Sequence, residues 1–197
     1  MRFLIGAAIV FGVGVARLAA ADRPVVTICM NTSGQLNTEF YIAREMAGRI
    51  LGQAGVLIEW KNREDLCAGL RNSLIIKISN NARIDSSPRV LACTFLRRHE
   101  ILVFHDRVVL ASHGNRQISV LLGHVLAHEI VHALQGLDRH SATGLMKQRW
   151  TVGELSAMCI RPLLLESADI SLIHGGMKRW EVHNQLAVMN QNSFPPQ

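Results

Sequence analysis

The chain has 197 residues, of which 49% are hydrophobic and 18% charged, and its formal net charge at pH 7 is +6. That length suits one domain with its own core, so a second domain is not required. The basic residues are spread along the chain, and one Tyr and three Trp are few for a basic groove with interleaved aromatic residues. These features argue against a nucleic-acid partner.

The N-terminus has the order of a secretory signal peptide. Arg2 precedes an apolar run over residues 3–15, and three alanines at 19–21 supply small residues before a cleavage point. The run is shorter than the about 20 residues that a transmembrane helix needs, and an uncleaved anchor is the alternative. We therefore expect secreted or periplasmic localisation, no stable membrane insertion after cleavage, and three segments: a signal peptide at 1–21, a domain at 22–189 and a disordered tail at 190–197.

The first half of the mature chain alternates β-rich runs with one helix. A β-rich run at 25–30 is followed over 38–53 by apolar residues at helical spacing, which predicts a strand and then a helix. Further β-rich runs predict strands at 56–60, 74–78, 90–95 and 101–104.

Two helices are predicted in the second half. A long apolar helix begins at Ser119 and stops near Gly136. Another begins at Ser167, where Ser can cap the N-terminus and Asp169 suits the first turn. Together with the strands, this order predicts an α+β domain in which a mixed β-sheet is backed by two long helices.

Four cysteines follow the predicted cleavage point: Cys29, Cys67, Cys93 and Cys159. An even number in an exported chain favours disulfides, although the sequence does not choose between the pairings. The absence of C-x-x-C spacing argues against a cysteine zinc site. We expect at least one disulfide, with buried free thiols as the alternative.

The long helix carries the pattern His128-Glu129-Ile130-Val131-His132. Residues four apart share one helix face, so the imidazoles of His128 and His132 can bind one metal ion. Glu129 is rotated off that line and can act as general base on a water at the metal. In a helix that is apolar all round, these polar groups are costly unless a ligand satisfies them. The pattern therefore predicts a Zn²⁺ site.

A catalytic zinc needs a third protein ligand and one open position. Gly136 can end the helix in a left-handed residue and reverse the chain, so that His140 returns to the metal. Asp138 lies nearer along the chain and offers a carboxylate, and Glu154 could supply the ligand from a later helix. We expect His140, with Asp138 and Glu154 as alternative third ligands. Weaker candidates are Glu166 and His124.

The segment from His128 to Met146 resembles the metzincin metallopeptidases, whose pattern is H-E-x-x-H-x-x-G-x-x-H followed by a methionine turn. It is most similar to the stretch found in matrix metalloproteinases. The interval from the second to the third histidine is eight residues here rather than six, because Gln135 and Arg139 are added. The resemblance implies a zincin-like catalytic domain with the segment 99–105 as the substrate-pairing edge strand. It also implies His128, His132 and His140 as ligands, Glu129 as catalytic base and Met146 under the metal.

The function predicted from these residues is that of a secreted zinc metalloendopeptidase, with a peptide or protein as substrate. A water bound to zinc and activated by Glu129 would hydrolyse the peptide bond. Two alternatives remain: a non-catalytic, zinc-stabilised secreted binding protein, and a metal-dependent hydrolase of another amide. Glu129 argues against the first, because a purely structural site has no use for a base at that place.

Overall fold

A computed structural model describes residues 23–30, 38–70, 72–80, 89–112 and 115–192. The predicted signal peptide at 1–21 lies outside the described residues, as do the last five residues of the predicted tail.

The described residues contain five strands and five α-helices. All five predicted strands and all three predicted helices are present, with ends shifted by a few residues. The strands are β1 (Val25–Met30), β2 (Leu57–Lys61), β3 (Ser73–Ser79), β4 (Ala92–Phe95) and β5 (Glu100–Phe104). The helices are α1 (Thr38–Leu51), α2 (His105–Ala111), α3 (Asn115–Gln135), α4 (Val152–Met158) and α5 (Ser167–Asn192).

The strands form one mixed sheet in the order β2-β1-β3-β5-β4. Strands β2, β1, β3 and β5 are parallel to one another. Strand β4 pairs with β5 in the antiparallel direction, with Thr94 opposite Ile101. The expectation that segment 99–105 forms the edge strand is wrong. That segment contains β5, which pairs with both β3 and β4, and its Ile101 and Val103 are fully buried. The edge on this side of the sheet is β4, and the other edge is β2.

Helices α1 and α3 cover the same face of the sheet. Helix α1 contacts β2, α3 contacts β4 and β5, and the two helices contact each other. They lie close together at Gly123, where an added Cβ would lie 2.6 Å from the Cβ of Met46. The sheet and these helices confirm the predicted α+β class.

Helix α3 forms the centre of the core. Its segment Gln117–Gln135 is long and apolar enough to cross a membrane, but 89% of it is buried inside the protein. Burial of this kind is expected for the core helix of a globular domain that is apolar all round.

Helix α5 packs across the C-terminal end of α3. A Cβ on Gly176 would lie 1.8 Å from the carbonyl oxygen of Leu134, so only glycine permits this approach. Ser167 is the first helical residue and not the cap. The carboxylate of Asp169 instead accepts the backbone N–H of Glu166, at 3.3 Å.

A disulfide joins Cys29 of β1 to Cys67, and this confirms the prediction of at least one. Cys67 lies in a short 3-10 helix that follows β2. Cys93, in β4, is a half-buried free thiol, and Cys159 is an exposed one.

Candidate metal centre

Three histidines converge at the C-terminal end of α3. His128 and His132 lie one turn apart on the same face of the helix, and their side chains are buried, at 8% and 5% exposure. His140 lies in the segment after the helix and is half-buried. One ligand nitrogen from each of the three lies within 4.8 Å of the others. The structure therefore brings together the three histidines that the sequence singled out.

The rings of His128 and His132 face each other through nitrogens that carry no hydrogen. Nδ1 of His128 donates to the carbonyl oxygen of Leu145 at 2.9 Å, and Nδ1 of His132 donates to that of Leu137 at 2.9 Å. Because a neutral imidazole has one proton, each Nε2 then carries a lone pair and no hydrogen. These two Nε2 atoms face each other at 3.0 Å, so the contact cannot be a hydrogen bond.

A cation satisfies this arrangement. Two nitrogens bound to one tetrahedral zinc at the usual distance of about 2.0 Å lie about 3.3 Å apart, close to the separation seen here. The two carbonyl oxygens that accept from Nδ1 hold the rings in the orientation and tautomer that metal-ligating histidines need. The three-histidine group can thus bind a metal ion, and its donor set fits zinc.

Burial also keeps the rings neutral. It lowers the pKa of His128 to about 3, with a further lowering from the neighbouring His132. Burial likewise lowers the pKa of His132. Since a metal binds only the neutral imidazole, both nitrogens are available at neutral pH without competition from protons.

The segment carrying His140 is held in place by Asp169 of α5. One carboxylate oxygen of this fully buried residue accepts from Arg139 Nη1 at 2.9 Å and from Ser141 Oγ at 2.7 Å. These are the two neighbours of His140 in the chain. Sequence reasoning gave Asp169 only a role in the first turn of its helix, because nothing local in the sequence connects residue 169 to residue 140.

The alternative third ligands are placed differently. Asp138 lines the cleft above the histidines but is exposed and outside their group. The Glu154 carboxylate accepts from Lys147 Nζ at 2.8 and 2.9 Å and from the backbone N–H of Thr151 at 2.6 Å. These bonds, that to Lys147 first, lower the pKa of Glu154 to about 2. The structure therefore places Glu154 in a capping box at the start of α4.

The two weaker candidates also have other partners. Glu166 accepts a hydrogen bond from the hydroxyl of Thr143. His124 is fully buried, its Nδ1 donates to the carbonyl of Val120 at 2.7 Å, and its Nε2 accepts from the backbone N–H of Leu163 at 3.1 Å. Because both nitrogens are used, His124 has no lone pair left for a metal. Its bond to Leu163 instead supports the segment at residues 162–166.

Glu129 lies on the cleft side of α3, in contact with the edge strand. Its side chain is 8% exposed, and one carboxylate oxygen accepts from the hydroxyl of Thr94 at 2.6 Å. Burial raises the pKa of Glu129 to about 7, against the lowering effect of the Thr94 bond, and the Asp138 carboxylate adds to the rise. A carboxyl group with such a pKa is suited to exchange protons at neutral pH. Thr94 is a site residue that sequence reasoning missed.

The predicted methionine turn closes the site from the protein interior. Met146 is fully buried, and its carbonyl oxygen accepts from the backbone N–H of Ser141 at 2.8 Å. Leu145, the preceding residue, supplies the carbonyl that accepts from His128 Nδ1. Gly144 begins the turn with a φ of 71°, which favours glycine. The turn therefore fixes one histidine of the group and the segment of another.

A cleft of about 1190 Å³ opens over the histidines and Glu129. The edge strand β4 and the residues flanking it form one wall. Residues 147–150 also line the cleft, and the ring centroid of Trp150 lies 5.6 Å from that of His128. The group is thus open to a ligand on one side and buried on the other.

No family model and no curated protein matches the chain. Among solved structures, the chain is similar to the crystal structure of archaemetzincin from Methanopyrus kandleri, with 12% sequence identity and a TM-score of 0.52. The likeness covers 82% of this chain and 99% of that one, so it extends across the fold rather than a single motif. At this identity, it shows a shared fold.

Proposed function

We propose that the chain is an exported zinc metallopeptidase. The observation that carries the proposal is the pair of proton-free Nε2 atoms of His128 and His132, 3.0 Å apart at the base of an open cleft. Without a cation, two lone pairs would repel at this distance, and burial would offer no compensation. The metzincin resemblance of residues 128–146 and the fold shared with a protein named archaemetzincin support the same assignment.

The roles follow from the positions of the side chains. His128, His132 and His140 would hold the zinc ion, which acts as a Lewis acid towards water and a substrate carbonyl when bound. Glu129 accepts a proton from the attacking water and passes it to the leaving amine, a task that needs a pKa near neutrality. The Thr94 hydroxyl holds the Glu129 carboxylate at the cleft side of the helix.

The edge strand suggests how a peptide binds. One side of β4 pairs with β5, its other side has no strand partner among the described residues, and all four of its residues line the cleft. An extended peptide can add to such an edge through main-chain hydrogen bonds, which would lay its backbone along the cleft beside Glu129. A peptide or protein substrate fits this arrangement better than a small amide, which would leave most of the cleft empty.

Export is part of the proposal. The disulfide between Cys29 and Cys67 suits an oxidising compartment, in agreement with the signal-like residues 1–21. The burial of Glu129 against Thr94 favours an enzyme over a zinc-stabilised binding protein, since a structural site gains nothing from a buried carboxylate that it must keep desolvated.

The experiment compares purified wild-type protein with Glu129→Gln. Wild type should contain about one zinc per chain and cleave peptides in a chelator-sensitive manner. The variant should keep its zinc and lose about a hundredfold or more of kcat, because only the base is removed. Equal activity in the two proteins would contradict the assigned base, and a wild type without zinc would refute the metal site.

A further inference from the structure

The cleft concentrates the positive charge of the chain. Of the 21 Lys and Arg and 15 Asp and Glu in the sequence, six and two respectively line the cleft among the described residues. Four of the six excess positive charges therefore lie there, and the other two correspond to Arg2 and Arg17 of the predicted signal peptide. The rest of the mature chain carries thirteen of each sign. The six basic residues of the cleft are Arg89, Arg97, Arg98, Arg107, Lys147 and Arg149.

Two of these six are already engaged. Lys147 is paired with Glu154 at 2.8 Å. Arg107 is buried, donates to the carbonyl of Val90 at 2.8 Å and lies 4.3 Å above the ring of Phe104. Both belong to the wall of the cleft and help to hold its shape.

The other four are exposed and have no acidic partner among the described residues. Arg98 lies 5.1 Å above the ring of Phe95, a contact that leaves its charge open to solvent. A guanidinium binds a carboxylate in a planar, bidentate geometry, so exposed arginines along a cleft are suited to acidic side chains.

Three of the four arginines lie before and after Thr94 along the chain, and the fourth precedes Trp150. Thr94, which bonds Glu129, marks the point of β4 nearest to the proposed base. Arg97 and Arg98 lie beyond the C-terminal end of β4, Arg89 precedes its N-terminal end, and Arg149 is next in the chain to Trp150, whose ring centroid lies 5.6 Å from that of His128. Because an extended peptide advances about 3.3 Å per residue, side chains within about five residues of the cleaved bond can reach these arginines.

We propose that the cleft selects acidic peptides, with aspartate or glutamate on both sides of the cleaved bond. This inference rests on the proposed peptidase function and names its substrate class. The arginines attract the acidic segment and fix it along β4, and their charge also steers its approach. Asp138, the acidic residue of the cleft other than Glu129, is close enough to Glu129 and His132 to act on them electrostatically, and it forms no ion pair with any of the four arginines.

The test uses two fluorogenic peptides that differ only in having glutamates or glutamines on both sides of one cleavable bond. The zinc-loaded wild type should show a kcat/KM about tenfold higher for the acidic peptide at low salt, falling to about twofold near 0.5 M NaCl, because exposed ion pairs are screened. A cleft variant carries Arg97→Gln, Arg98→Gln and Arg149→Gln, and the acidic preference should fall to about twofold or less in it. A matched control carries Arg23→Gln, Arg161→Gln and Lys178→Gln, three exposed residues outside the cleft, and should keep the preference.

Binding separates this inference from the proposed function. Fluorescence anisotropy of the same peptides on Glu129→Gln measures acidic preference without turnover. If neither peptide is cleaved by wild type but the acidic one binds about tenfold more tightly, the peptidase assignment fails and the acidic preference stands. Equal cleavage and equal binding of the two peptides would overturn the preference and leave the peptidase. Displacement of the acidic peptide by single-stranded DNA at equal charge concentration would overturn the peptide as ligand.

Discussion

Replacing Asp169 by alanine removes the acceptor that both neighbours of His140 share. The Asp169 carboxylate is fully buried and accepts from Ser141 Oγ at 2.7 Å, from Arg139 Nη1 at 2.9 Å and from the Glu166 backbone at 3.3 Å. Ser141 is buried, so its hydroxyl would lose its acceptor without access to water. The Arg139 side chain is 42% exposed and can turn to solvent.

The loss of stability should therefore come mainly from two of the three bonds. A hydrogen bond to a charged group contributes about 1.5–3 kcal/mol when buried, which gives about 3 kcal/mol for Asp169→Ala after allowance for the partly exposed arginine. Asp169→Asn keeps one acceptor oxygen and should cost about half as much. The loss of zinc affinity should be larger than a general loss of stability explains, because these bonds hold the segment that carries His140. Zinc affinity should fall about 10- to 100-fold in the folded variant.

The assay has three parts. Urea unfolding of the metal-free protein gives the free energy, competition with a chromophoric chelator gives zinc affinity, and the visible spectrum of the cobalt-substituted protein reports ligand geometry. Asp65→Ala, which removes an exposed partner of Arg63, is the control and should change none of the three appreciably. Zinc affinity within twofold of wild type in a folded Asp169→Ala protein would refute the positioning role.

Three further predictions follow from the site and the fold. His140→Ala should weaken zinc binding far more than Asp138→Ala, which isothermal titration calorimetry can measure. The reverse order would assign the third ligand to the carboxylate of Asp138. Because burial lowers the pKa of the site histidines, the unfolded chain binds more protons below about pH 6.5, so the metal-free protein should lose stability as the pH falls from there. Glu129 has the opposite effect on stability between about pH 4.5 and 7, because its raised pKa makes the folded state bind the proton. Glu129→Gln should therefore steepen the fall in Tm as the pH is lowered. An unchanged slope would contradict the burial argument. The unreduced protein should show two free thiols after denaturation, and Cys29→Ser should destabilise it by about 4 kcal/mol, as expected for a loop of this length; four thiols would exclude the disulfide with Cys67.

Local patterns predicted the parts of the fold that depend on local physics. The apolar periodicity of residues 119–135 defines a core helix, and the four-residue spacing of His128 and His132 alone places both rings on one face. The β-rich run at 25–30 matches β1 residue for residue. These features need only the geometry of one element, and that geometry is carried by adjacent residues.

Two features that local patterns did not predict depend on pairing between distant residues, and a third had a local signal. The edge position belongs to β4 and not to residues 99–105, because strand order is set by how the whole sheet is assembled. Helix α4 went unpredicted, although Thr151 and Glu154 form the S/T-x-x-E capping box that marks a helix start. The contact of Thr94 with Glu129 spans 35 residues and has no local trace.

Hydrogen bonds to α5 explain how an interval of eight residues between His132 and His140 is accommodated. Gln135, one of the two added residues, has a fully buried side chain whose amide donates to the backbone carbonyl of Asp169 at 3.3 Å. The backbone carbonyl of Gln135 accepts from Arg179 Nη2 at 2.7 Å. Arg139, the other, donates to the Asp169 carboxylate. Each added residue is therefore bonded to the same helix, which lies close enough to reach them because Gly176 lets it touch the end of α3. A longer loop alone would leave His140 freer to move and its ligand nitrogen less well placed. Anchored at both added positions, the loop returns the third histidine to the other two, so the departure from six-residue spacing and the packing of α5 are parts of one arrangement.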